Sequence, residues 1–156
     1  MISIQRPGQG NLEIEFILID FEGTLASDRR VHPKVKDKIN LLSKRTKICI
    51  LTKGEKEGVE EALKNVKAEI VYLYEENSSQ QKLDLLRQRE VSRTVAIGNG
   101  FDDAPMIEEA GFSICVIGKE GTFSETMKKA DLVFMNILDA LDFLLKPLRQ
   151  KTTLGK

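Results

Sequence analysis

The sequence predicts an α/β protein built on a mostly parallel sheet with helices on both faces. Strand-length runs of Val, Ile and Leu alternate with segments of helical periodicity along most of the chain. The central run Ile17-Leu18-Ile19 lacks the apolar–polar alternation of a half-exposed strand, as expected of a strand covered on both faces. The segments joining these elements are short, with no repeat, low-complexity linker or stretch long enough for an inserted domain.

Near the start, Ile2 and Ile4 alternate with polar residues, "RPGQGN" supplies turn residues, and Leu12, Ile14 and Phe16 alternate again, which predicts an N-terminal β-hairpin. Pro33 suits a first helical turn, and Val35, Ile39 and Leu42 follow at helical spacing. "KICILT" reads as a strand, "EGVEEALKNV" as a short helix and "EIVYLY" as a strand. A helix then opens at Ser78, where Ser78 with Gln81 has the spacing of a capping box and Leu83, Leu85 and Leu86 supply the apolar side. "TVAIG" and "FSICVIG" read as strands separated by the helix "APMIEEA", in which Met106 and Ile107 belong to the core. "SETMKKA", "DLVFM" and "ILDALDFLLK" complete the alternation. Residues 1–146 are expected to form one core domain, and 147–156, ending in "RQKTTLGK", a flexible tail.

Composition narrows the function. A chain of 156 residues holds one domain of ordinary size. Its 24 basic and 24 acidic residues leave no net charge, so nothing draws it to nucleic acid. No apolar run approaches the roughly 18 residues of a membrane span, and the N-terminus lacks a secretory pattern, so a cytoplasmic protein without a membrane partner is expected. Cys49 and Cys115 lie in separate strand-like runs without a partner pattern and read as buried free thiols.

In open parallel sheets, ligands bind beyond the carboxyl ends of the strands. The chain places Asp20 and Glu22 after its first central strand, Thr52 and Lys53 after the second, and Asn99, Asp102 and Asp103 after "TVAIG"; Lys82 stands early in the helix that follows the third. These residue types suit phosphoryl transfer. An exposed aspartate can attack phosphorus to give an acyl-phosphate. Magnesium lets the two anions approach and takes oxygen ligands from few protein groups. A lysine and a hydroxyl hold the remaining phosphate oxygens, and Gly23 and Thr24 let the backbone or a hydroxyl come close.

"DFEGT" and "GNGFDDAPM" resemble two signatures of the haloacid dehalogenase superfamily, which includes phosphatases and the phosphorylation domain of P-type ATPases. "ILT" ending the second strand and Lys82 fit the other two motifs in order, and the likeness runs from residue 12 to about 140. It looks closest to the small soluble P-type-ATPase-like proteins. The resemblance implies a three-layer α/β/α Rossmann-like core, here without a cap domain, because "LASDRRVHP" is the only room for one. It implies an Mg2+-dependent phosphatase acting through an aspartyl-phosphate. Asp20 matches the nucleophile and a metal ligand, the carbonyl of Glu22 a second ligand, and Asp103 an acid on the metal, with Asp102 beside it. Gly23, Thr24, Thr52, Lys82 and Asn99 fall in phosphate-binding positions, with Lys53 as a rival to Lys82. Asn99 stands where the family usually has the first acid of its last motif, and Asp102 where it usually has asparagine. Glu22 stands where phosphatases of the family have the aspartate that serves as general acid and base.

An uncapped site implies a phosphoprotein substrate, or a phosphorylated small molecule in a homo-oligomer whose neighbour, through the N-terminal hairpin, covers the entrance. Arg29 and Arg30 read as a solvated loop or as contacts to an anionic substrate, and His32 as an exposed structural residue. Glu22 and Asn99 support a rival reading, a catalytically weak or inactive module that binds phosphate or metal. A two-component receiver domain fits poorly, because "EIVYLY" is followed by Glu75 and Glu76 and no aspartate.

Overall fold

Side chains along a strand point alternately to opposite faces, so a sheet covered on both sides divides its apolar residues between two cores. The computed structural model describes residues 1–155. Among them the elements run β1 (Ile2–Ile4), β2 (Leu12–Ile14), β3 (Phe16–Asp20), α1 (Pro33–Ser43), β4 (Lys47–Thr52), α2 (Lys56–Ala62), β5 (Glu69–Tyr72), α3 (Ser78–Arg87), β6 (Thr94–Gly98), α4 (Ala104–Glu109), β7 (Phe112–Val116), α5 (Ser124–Lys129), β8 (Leu132–Phe134), α6 (Ile137–Leu145) and α7 (Pro147–Leu154). β3 to β8 form a six-stranded parallel sheet in the order β5-β4-β3-β6-β7-β8. Ile17 and Ile19 of β3 join the larger core with Val35, Ile39 and Leu42 of α1 and Leu141 and Leu144 of α6. Leu18 joins the second, with Leu83 and Leu86 of α3 and Met106 and Ile107 of α4. This is the three-layer arrangement read from the sequence.

After β3 the chain builds outward through β4 and β5, then returns to place β6 on the other side of β3. The order of strands therefore reverses between β3 and β6, and the crevice at their carboxyl ends is the natural ligand position. The segment from Leu25 to His32 is a tight flap closed by a bridge between Ser27 and Arg30, with Asp28 and Arg29 at positive φ (51° and 64°). It contains no cap. Arg29 and Arg30 are exposed on it, and His32 is exposed at the start of α1, where its Nδ1 accepts from Lys34 N.

Several local expectations change. The hairpin's second arm ends at Ile14 and does not include Phe16. Glu15 interrupts it, donating its N–H to Arg93 O and accepting Lys47 N, which turns the chain into the larger sheet. Ser78 and Gln81 form no capping box. Asn77 precedes α3 at φ 62°, so Ser78 is already helical, and Gln81 bonds instead to the backbone of Tyr74 and Glu76. The expected loose tail is ordered as α7 through Leu154. Gln150 is fully buried there: its Oε1 accepts Gln5 N at 2.8 Å and its Nε2 donates to Phe143 O at 2.8 Å. A polar side chain thus ties the hairpin to the end of α6.

Cys49 and Cys115 are both buried in the sheet. Burial pushes the Cys49 thiol up to about 11, and burial likewise raises Cys115, whose Sγ lies 2.8 Å from Thr122 Oγ1. Among the described residues no helix is long and apolar enough to cross a membrane.

Replacing Gln150 with Ala leaves the Gln5 N–H and Phe143 carbonyl without these partners, at a cost of about 1–3 kcal/mol. Urea unfolding should show the free energy of unfolding lowered by that amount, with an earlier midpoint; an unchanged midpoint would show that water replaces the side chain without loss.

Candidate active site

Lys82 is the largest fully buried side chain in the protein. It stands on the second turn of α3, and its ammonium reaches across to the carboxyl ends of β3 and β6. Nζ lies 2.9 Å from Asp20 Oδ1, 2.7 Å from Asp103 Oδ1 and 3.3 Å from Asp102 Oδ2. Burial works against its charge, but Asp20, Asp103 and Asp102 outweigh burial and hold the ammonium above its ordinary value. Removing the ammonium from such a cluster costs about 3–5 kcal/mol, because the buried carboxylates are left uncompensated.

Asp103 is fully buried, and its two oxygens divide the work of holding the loop. Oδ1 takes Lys82, while Oδ2 accepts Asn99 N at 2.9 Å and Gly100 N at 3.0 Å. The chain makes room for this carboxyl with Gly98, where a Cβ would lie 2.5 Å from Asp103 Cγ. Asp102, one residue earlier on the short 3-10 turn Phe101–Asp103, accepts Ser78 Oγ at 2.9 Å and Lys53 Nζ at 3.2 Å. Burial raises its carboxyl, but Lys82, Ser78 and Lys53 together outweigh burial and leave it below the usual range.

Asp20 ends β3 at 5% exposure. Its Oδ1 takes Lys82, and Thr24 Oγ1 lies 3.1 Å from its Oδ2. The same hydroxyl lies 3.0 Å from Asn99 Oδ1. One hydroxyl proton serves one of these acceptors at a time, so its rotation toward Asn99 frees Asp20 Oδ2. Gly23 permits this approach: its φ is 76°, and a Cβ there would lie 2.6 Å from Asn99 Nδ2. Burial, then the neighbouring Asp103 charge, raise the Asp20 carboxyl well above its ordinary value despite Lys82.

The second cluster lies one strand away. Glu22 Oε1 accepts from Thr52 Oγ1 and from Lys53 N, the latter at 3.0 Å, and Gly54 N donates to Thr52 Oγ1 at 2.9 Å. Glu22 Oε2 makes no hydrogen bond among the described residues, and Glu22 lines the cavity over Asp20. That cavity has a volume of about 610 Å³ and is bounded also by Lys53, Asn99, Gly100, Asp102 and Phe101.

All the site residues read from the sequence thus gather at one crevice, in two linked groups. Asp20, Thr24, Lys82, Asn99, Asp102 and Asp103 form the first, with Gly23 beside them; Glu22, Thr52 and Lys53 form the second. Lys82, and not Lys53, touches Asp20, whereas the Lys53 ammonium pairs with Asp102. Thr52 is placed as expected, but its hydroxyl is spent on Glu22. Ser78 was read only as a cap, and its role in holding Asp102 was missed.

The donors suit a hard cation in type: Asp20, the Glu22 carbonyl and Asn99 Oδ1 are oxygens, and magnesium uses few protein ligands with several waters. The charge balance agrees: among the described residues, the cations paired with Asp20, Asp102 and Asp103 are Lys53 and Lys82, with Glu22 adding a fourth carboxylate. Among the described residues no group of three or more His, Cys, Asp or Glu side chains is arranged to hold a metal ion. The ammonium of Lys82 stands where the three aspartates would otherwise converge.

No family model matches the chain. Its fold is shared by solved phosphatases. Against the 3-deoxy-D-manno-octulosonate 8-phosphate phosphatase of Moraxella catarrhalis, solved with magnesium and phosphate, the TM-score is 0.71 at 17% identity, covering 86% of this chain and 87% of that one. Against the cobalt-bound deoxy-D-mannose-octulosonate 8-phosphate phosphatase of Haemophilus influenzae it is 0.68 at 16% identity, covering 86% and 91%. The fold is therefore that of the haloacid dehalogenase superfamily. The chain belongs to the family of an uncharacterized protein of Methanocaldococcus jannaschii, with which it is 41% identical over 70 residues, 45% of this chain and 75% of that protein.

The Asp20 environment makes a pH prediction for the metal-free protein. A carboxyl whose folded pKa is raised contributes stability that is complete below the unfolded pKa, about 3.9, and is lost as pH rises through the folded value. Asp20→Asn should therefore raise the thermal midpoint in chelator at pH 7, with a smaller gain at pH 4. A lowered midpoint at pH 7 would show that the Lys82 pair outweighs the burial of this charge.

Proposed function

We propose that the chain is a magnesium-dependent phosphatase that hydrolyses phosphomonoesters through an aspartyl-phosphate on Asp20. The observation that carries this reading is the placement of Asp20 at the topological switch point, with Lys82 on one carboxyl oxygen and a releasable Thr24 hydroxyl on the other. The Ala104-Pro105 sequence after Asp103 favours the P-type-ATPase-like branch of the superfamily.

With Thr24 turned toward Asn99, Asp20 Oδ2 attacks phosphorus as the bond from phosphorus to the leaving oxygen breaks. Glu22 gives that oxygen its proton. Lys82 and the backbone around Gly23 balance the charge on the phosphoryl oxygens. In the second half, Glu22 takes a proton from water as it attacks phosphorus, the bond to Asp20 breaks, and inorganic phosphate leaves. A magnesium ion held by Asp20, the Glu22 carbonyl and Asn99, with Asp103 reached through water, would supply charge neutralisation between the two anions. Asn99 in place of an acid gives a weaker hold on that ion.

A second reading rests on the bond from Thr52 to Glu22. A carboxylate tethered to Thr52 Oγ1 and Lys53 N is less free to reach a leaving group, which favours slow turnover or a phosphate-binding module.

Hydrolysis of p-nitrophenyl phosphate with magnesium separates the two. Wild type should be active and chelator should abolish the rate. Asp20→Asn should lower it by at least about a thousandfold, as expected when a nucleophile is removed. Equal inactivity of wild type and Asp20→Asn would sink the phosphatase reading in favour of the module, and activity surviving in Asp20→Asn would sink the mechanism. Glu22→Gln should cost about 10²–10⁴-fold in kcat if Glu22 is the acid and base; an unchanged kcat would make it a spectator.

A further inference from the structure

The mouth of the site is apolar on one side and acidic on the other. Phe101, directly beyond Gly100 in the β6 loop, is 72% exposed and lines the cavity above Asp20. Phe123, just before α5, is 40% exposed and packs edge-on against it, with ring centroids 5.4 Å apart at 80°. Phe123 N donates to Asn99 O at 2.8 Å, which ties the segment before α5 to the loop that carries Phe101, Asn99 and Asp103. A large apolar ring exposed at the cavity mouth, backed by a second half-exposed ring, has not been placed there by the core, since neither joins the buried clusters.

The charges around the same cavity are mostly negative. Asp20, Glu22, Glu75 and Asp102 line it, while the lining cation Lys53 is paired with Asp102 and the ammonium of Lys82 is buried beneath. Once the phosphoryl group takes its place at Asp20, no unpaired cation remains among the described residues lining the cavity for a further anionic group on the substrate.

From this we infer that the substrate is a phosphomonoester whose leaving group is aromatic and carries no further negative charge, its ring resting on Phe101. Phe101 and Phe123 are specificity-determining residues, Phe123 acting through Phe101 by holding the ring edge-on. The inference rests on the phosphatase reading for the place of the phosphate, but it concerns binding and is tested without turnover. An acidic sugar phosphate meets no partner here, which separates this mouth from that required by a carboxylated leaving group.

The test is calorimetric titration of the full chain bearing Asp20→Asn, in magnesium, with phenyl phosphate, propyl phosphate and 3-phosphoglycerate. Aromatic contacts of this type are worth about 0.5–1.5 kcal/mol, so phenyl phosphate should bind roughly fivefold more tightly than propyl phosphate. 3-Phosphoglycerate should bind more weakly than either. Adding Phe101→Ala, an exposed change with little reach into the core, should bring phenyl and propyl phosphate to equal affinity while leaving propyl phosphate unchanged. Phe123→Ala should reduce the preference in part.

Equal binding of the phenyl and propyl esters, a preference that survives Phe101→Ala, or tight binding of 3-phosphoglycerate would each overturn the inference; so would failure of all the esters to bind. If the aromatic preference holds while wild type hydrolyses nothing, the platform stands and the phosphatase reading is the one that fails.

Discussion

The ammonium of Lys82, enclosed by Asp20, Asp102 and Asp103, is the constraint on which the rest of this structure depends. A buried cation is tolerated only with close anionic partners, and a group of buried anions only with a cation among them. Because the partners come from β3, from the turn after β6 and from α3, satisfying that one charge fixes the relative positions of elements that adjoin both hydrophobic cores. Gly98 belongs to the same constraint. Its missing side chain is the space that the Asp103 carboxyl fills against β6.

The same arrangement divides the site into fixed and movable parts. Asp103 spends its oxygens on Lys82 and on the N–H groups of Asn99 and Gly100, so the loop is fixed by bonds that need no ligand. Asp20 is held on one oxygen only by a fixed charge. Its other oxygen faces the Thr24 hydroxyl, whose single proton has a second acceptor in Asn99. The freedom in the site is thus confined to a rotating hydroxyl and to the Glu22 side chain, which reaches over from its tether at the end of β4.

Much of this was legible in the sequence because burial on both faces leaves a plain signal. Ile17 to Ile19, "KICILT" and "TVAIG" read as strands without ambiguity, and the rule that ligands lie beyond strand ends brought Asp20, Thr52 and Asn99 together before any coordinates. What was not legible depended on pairings between distant segments. The alternation from Leu12 to Phe16 runs through Glu15 unbroken, yet the Glu15 backbone bonds to Arg93 and Lys47, and that ends the hairpin. Ser78 and Gln81 have the spacing of a cap, but the left-handed Asn77 shifts the helix start and leaves Ser78 to hold Asp102. The final segment reads as solvated because it is polar; nothing in its composition reveals that Gln150 has two backbone partners waiting inside. The link from Glu22 to Thr52 likewise arises from the register of β3 against β4, which pattern alone does not specify.

The two cysteines have a consequence for how such a protein meets oxidants. Both sulfurs lie within the sheet and both are raised by burial, so neither offers a thiolate at neutral pH. The groups gathered at the mouth are carboxylates, hydroxyls and ammonium ions, none of which peroxide modifies readily. Were the proposed phosphoryl transfer carried on Asp20, it would proceed without a thiolate and so be indifferent to the redox swings that silence sulfur nucleophiles.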